Sequence, residues 1–293
     1  MEKKTLILLI LICIILASGC VGKTDNVTKY VCPDGSRVKN PSLCPKLTTT
    51  TVKSLENASG LQKDIDDGKS IMGFWPHPDD EVYSPGIIAM AGDKGNPIWI
   101  VHLISVDEAP EQAQEARLQA ITWMTDKYLK NGGYINLEMQ RGEEFPRQTR
   151  CMVRWEWSYG TIKEKFRLLI KEKRPDILYT FTPNGFCDMC EHGLMADILI
   201  DLQDELSYKP QLLFFVNMDQ GPRRETNCSE YKIYPPNEVL DLNVYSETLG
   251  MTYWDAKVEF WQKYAPSVPP LNYALETYLD INDRKEYFMK VAS

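Results

Sequence analysis

The chain has 293 residues, enough for one large domain or two small ones. Hydrophobic residues make up 43% and charged residues 25%, the balance of an ordinary soluble globular domain. The net charge of −8, with no basic stripe to neutralise phosphates, argues against a nucleic-acid partner.

In chain order, residues 1–20 read as a targeting segment. Lys3-Lys4 precede a continuous apolar run over 6–16, and Ala17-Ser18-Gly19-Cys20 closes it like a lipobox. Cys20 would then carry the lipid of the mature chain. The alternative is an uncleaved N-terminal membrane anchor, since the apolar stretch is about long enough to span. Either way the chain is expected outside the cytoplasm, tethered to a membrane through its N-terminus. Residues 21–54 read as a stalk. Cys32-Pro33-Asp34-Gly35 and Cys44-Pro45 are turn chemistry, and Thr48-Thr49-Thr50-Thr51 is linker that cannot build a core. Outside the cytoplasm, cysteines tend to pair. A Cys32–Cys44 disulfide is the simplest expectation, and Cys151, Cys187, Cys190 and Cys228 leave their pairing open.

Residues 55–293 form the remaining domain. Near-continuous apolar runs predict buried strands over 71–75, 98–104, 177–181 and 212–216. Apolar residues at helical spacing predict helices over 111–129, 160–173, 194–206 and 252–264. This alternation predicts an α/β fold with a Rossmann-like, doubly wound, mostly parallel sheet. Residues 141–159 lack clear periodicity and are expected to form a loop over the sheet ends. Within them Trp155-Glu156-Trp157-Ser158-Tyr159 suits either a sugar face or a core.

Two clusters carry chemistry. His77-Pro78-Asp79-Asp80-Glu81 follows the first apolar run. Unpaired charge is costly to bury, so this cluster belongs at the mouth of the sheet. Imidazole and carboxylate suit a divalent metal such as zinc, and a spare carboxylate can act as a base on water. The plainer reading is a polar turn with Asp79 as a helix cap. Spacing alone permits either Asp79 or Asp80 as the ligand. Glu81 is expected to support the turn or cap the next segment. The second cluster, Pro183-Asn184-Gly185-Phe186-Cys187-Asp188-Met189-Cys190-Glu191-His192, follows the 177–181 run. Cys187 and Cys190 fit a structural disulfide, with a redox or zinc pair as the alternatives. The third histidine, His102, lies mid-strand and is read as a satisfied core or edge residue.

Together the two clusters resemble the PIG-L/LmbE-like family of zinc-dependent deacetylases of N-acetylglucosamine type. The likeness runs from about residue 69 to the C-terminus, where Arg284-Lys285-Glu286-Tyr287-Phe288 resembles the family's tail. The resemblance implies a zinc site of His77, Asp80 and His192, with Asp79 as the catalytic general base. It implies a small-molecule or oligosaccharide substrate bearing an N-acetyl group. Two departures stand out. Met189 occupies the place of a family histidine thought to stabilise the oxyanion, and methionine cannot donate a hydrogen bond. The family's Arg-x-x-Glu is replaced by Gln112-Ala113-Gln114-Glu115, with Arg117 nearby. The expected function is an extracytoplasmic, zinc-dependent hydrolase that removes an acyl group from an amino-sugar or related amide. The alternatives are a carbohydrate-binding surface protein that kept the fold, which Met189 favours, and an amidase of thiol conjugates.

Overall fold

A computed structural model describes residues 30–31, 37–38, 60–104, 111–139, 152–183, 190–216, 236–267 and 284–291. Near the N-terminal end of the described residues, β1 (Tyr30–Val31) pairs antiparallel with β2 (Arg37–Val38). The readings for the N-terminal 20 residues, the cysteine pairs and Met189 lie outside the described residues, as does all of 184–189. Among the described residues no helix is long and apolar enough to cross a membrane.

The rest is built on one seven-stranded sheet. It begins with α1 (Gly60–Asp66), β3 (Ile71–Trp75), a 3-10 turn (Asp80–Tyr83) and α2 (Pro85–Asp93). Then come β4 (Ile98–Ile104), α3 (Glu111–Tyr128), β5 (Gly133–Met139), α4 (Met152–Lys173) and β6 (Ile177–Phe181). The chain continues through α5 (Cys190–Glu205), β7 (Gln211–Val216) and β8 (Glu238–Asp241). A short ribbon of β9 (Tyr245–Ser246) and β10 (Met251–Thr252) leads into α6 (Tyr253–Tyr264), and β11 (Lys285–Lys290) ends the described chain.

The strand order is β5-β4-β3-β6-β7-β11-β8. The first five run parallel, and β11 and β8 add an antiparallel edge. The order reverses direction between β3 and β6, which is where open α/β sheets bind ligands. Every residue of β3 and β6 is buried, because helices cover both faces. Ile71 and Trp75 pack with α1, α2, α3 and α6 on one face. Met72 and Phe74 pack with α4 and α5 on the other. Gly73 lets the Tyr179 ring of β6 lie against β3, since a Cβ there would sit 2.5 Å from that ring.

One expectation is corrected. The loop predicted over 141–159 is helical from Met152, so the aromatic stretch lies on α4. Tyr159 donates to Asp201 of α5 at 2.7 Å, which ties it to a neighbouring helix. The sequence around Gly160 carries no other breaker, and one glycine inside a helix costs only about 1 kcal/mol. The stretch at 284–288 that resembles the family's tail lies largely in β11, Lys285–Lys290. There Glu286 is buried, accepts from the Gly86 and Ile87 amides at 2.8 and 3.0 Å, and so serves the first turn of α2.

Candidate active site

The site forms where β3 and β6 end side by side. Beyond β3 the chain turns at once. The His77 carbonyl accepts from the amides of Asp79 and Asp80 at 2.9 and 3.2 Å, and the 3-10 turn begins at Asp80. Beyond β6, α5 brings His192 in its first turn. The His192 ring stacks on Phe181, the last residue of β6, with centroids 4.2 Å apart and planes at 24°. Each ligand candidate is thus fixed by the end of a fully buried strand.

His77, Asp80 and His192 converge, each offering one donor atom within 4.8 Å of the others. Asp80 joins the two imidazoles. Its Oδ2 lies 3.1 Å from His77 Nδ1 and accepts from the His77 amide at 2.8 Å. Its Oδ1 lies 3.2 Å from His192 Nε2. Burial alone would raise the Asp80 carboxyl, but the His192 and His77 charges and their hydrogen bonds outweigh it and hold the group well below the usual carboxylate range.

This set fits a divalent ion. Donors held by one tetrahedral zinc at about 2.0–2.1 Å lie about 3.4 Å from each other. The spacings to Asp80 of 3.1 and 3.2 Å are close to that. Two imidazoles and one carboxylate suit zinc-class metals rather than calcium or magnesium, which prefer oxygen alone. Three protein donors also leave a position open, as hydrolytic sites require. The His77 side chain keeps 19% of its surface exposed while that of His192 keeps 1%, so the site opens to solvent on the His77 side.

Asp79 makes no capping hydrogen bond. The plain helix-cap reading is thereby set aside. Its Oδ2 instead accepts from Arg117 Nη2 at 2.7 Å. Burial first, and then the Asp80 charge, push the Asp79 carboxyl up to about 6, against the pull of Arg117 and His77.

Three functional features were missed from sequence. Arg117 was noted only as a neighbour of a displaced motif, yet it and not Glu115 reaches the site. Glu115 lies on the exposed face of α3. Glu81 and His102 are both fully buried and joined, Nε2 to Oε2, at 2.9 Å. His102 is thus a satisfied core residue, as read, but its partner is the residue that follows Asp80. The signal available in the sequence was an acid directly after the ligand and a lone histidine in an otherwise apolar strand.

No family model matches the sequence, and no curated protein matches it. Solved structures do. The chain is similar to a deacetylase of the teicoplanin biosynthesis pathway in its bog complex, at a TM-score of 0.54 and 12% identity over 76% of this chain and 98% of that one. It is similar to Dbv21, the deacetylase of the antimicrobial A40926 pseudoaglycone, at 0.52 and 13% over 78% and 100%. It is similar also to the zinc-inhibited form of the teicoplanin deacetylase Orf2, at 0.52 and 10% over 76% and 98%. The chain therefore shares its fold with these deacetylases.

Proposed function

We propose that the protein is a zinc-dependent N-deacetylase acting on an N-acylated amino-sugar or a related amide. The observation that carries this reading is the convergence of His77, Asp80 and His192 at the switch point of the sheet, with Asp79 alongside. The deacetylases that share the fold support it, one named for the A40926 pseudoaglycone and one for the teicoplanin biosynthesis pathway.

His77, Asp80 and His192 would hold the metal. When bound, zinc supplies Lewis-acid polarisation of an acyl carbonyl and acidifies water. The protein's own residues do the rest. Asp79 accepts the proton of the attacking water and returns it to the leaving amine, the two halves of general acid–base catalysis. Arg117 holds the Asp79 carboxylate in one orientation. The stacked Phe181 and the buried turn fix His192 and Asp80. The open side at His77 gives a route for the acyl group.

We further propose that residues 1–20 export the chain and anchor it outside the cytoplasm, through Cys20 or as an uncleaved helix, with 21–54 as stalk and 55–293 as the catalytic domain. Lys3-Lys4, the apolar run and the small residues before Cys20 support this. The second functional reading, a carbohydrate-binding protein that keeps the metal, draws on Met189 in place of an oxyanion donor. Acetate release from a panel of N-acetylated sugars, with and without added zinc, separates the two. Zinc-dependent release supports the deacetylase. Sugar binding with zinc bound and no release supports the binding protein.

A further inference from the structure

Directly after the metal-site turn lies a buried polar network that the proposed chemistry does not use. Glu81 has no exposed surface, and both its oxygens are engaged. Oε1 accepts from the Tyr264 hydroxyl at the end of α6. Oε2 lies 2.9 Å from His102 Nε2 on β4. The other imidazole nitrogen, Nδ1, lies 3.1 Å from the Tyr134 hydroxyl on edge strand β5.

The donors follow from elementary chemistry. A carboxylate only accepts, so His102 must carry its proton on Nε2. In the neutral ring Nδ1 is then bare and accepts from the Tyr134 O–H. Burial, and next the Glu81 charge, hold the Tyr134 and Tyr264 phenols well above their ordinary values, so both remain donors. The relay runs Tyr134 to His102 to Glu81, with Tyr264 closing it from the far side.

The placement is what makes it more than core packing. Sheet register sets His102 opposite Trp75, and the Ile104 amide donates to Pro76 carbonyl at 3.0 Å, so β4 is locked to the chain just before His77. Glu81 is covalently next to Asp80, which bridges both imidazoles, and two residues from Asp79. Glu81 cannot shift without carrying the Asp80 backbone. The other elements of the network, β4, β5 and α6, bear no proposed ligand themselves.

We propose that Glu81, held by His102 and Tyr264, is the positioning residue of the metal site: it fixes the Asp79-Asp80 turn, so that metal affinity depends on a hydrogen bond from a histidine that never touches the metal. This rests on the metal-site reading above. Removing a group that orients metal ligands typically weakens binding by about 10- to 100-fold. The inference demands more than a buried contact, because it distinguishes the two nitrogens of His102. Glutamine places an amide N–H near the Nε2 position and can replace the donor, whereas leucine cannot.

The test is zinc titration of the full chain, by calorimetry or chelator competition, for wild type, His102→Gln, His102→Leu and Tyr264→Phe, with circular dichroism to verify folding. Expected is zinc affinity about 10- to 100-fold weaker in His102→Leu, recovered to within about threefold in His102→Gln. Tyr264→Phe removes one donor at nearly constant volume and is expected to weaken zinc by several-fold. It also decides the matter if His102→Leu does not fold. Wild-type affinity in folded His102→Leu, or in Tyr264→Phe where the leucine variant fails to fold, overturns this inference alone. A wild type that binds no zinc overturns the metal-site reading, and this inference with it.

Discussion

Arg117 and Asp79, 38 residues apart in sequence, meet at the mouth of the sheet with Nη2 2.7 Å from Oδ2. Their side chains retain only 16% and 14% of their surface, so the pair is shielded from solvent and holds one geometry. The carboxylate assigned as base is therefore aimed by α3 as well as by its own turn. Arg117→Met keeps much of the side-chain volume and removes the donor. The expected outcome is unchanged zinc content and a turnover number lower by about 10- to 100-fold, the usual effect of losing a group that orients a working residue. Steady-state kinetics beside metal analysis checks it, and unchanged turnover would show that Asp79 needs no such support.

That pair shows where sequence reading stops. His77 and Asp80 are three residues apart on a turn after an unmistakable buried strand, so their convergence follows from local geometry. His192 also follows a buried strand, and the parallel pairing of β3 with β6 brings the two loops together. Which face of α3 looks inward is decided by packing across the fold, and so Arg117 stayed hidden. The same holds for Glu81 and His102, whose partnership depends on the register of β3 against β4. The edge elements were the least legible. β5 is mostly half-buried and lacks a continuous apolar run. β11 carries the charged Glu286 between exposed Lys285 and half-buried Tyr287, which looks like surface until its partners are seen.

Metal removal gives a second expectation. His77→Ala and His192→Ala each take away one of three donors, and each folded variant should bind zinc far more weakly than wild type. Zinc content after dialysis against a weak chelator measures this. Full retention of zinc by both variants would mean that the ion, if any, lies elsewhere.

A third expectation concerns stability. Glu286 is fully buried and satisfies Lys257 Nζ at 3.0 Å together with two amides of α2. Glu286→Ala removes the carboxylate that faces the buried Lys257 ammonium and strips the first turn of α2. Breaking such a pair by deleting one partner costs about 3–5 kcal/mol. Urea unfolding should show a clearly lowered midpoint for Glu286→Ala. A midpoint within error of wild type would mean that water replaces the carboxylate without penalty.

The account's central claim is that Asp79 acts as a base beside a metal held by His77, Asp80 and His192. The most direct measurement is acetate release from N-acetylated sugars by zinc-loaded wild type and zinc-loaded Asp79→Asn, with zinc content determined on the same samples. The prediction is zinc-dependent release by wild type, equal zinc in the variant, and release lowered by about 100- to 10,000-fold, the range that general acid–base catalysis supplies. Equal release by the two proteins, or none from wild type that holds its zinc across the whole panel, would contradict it.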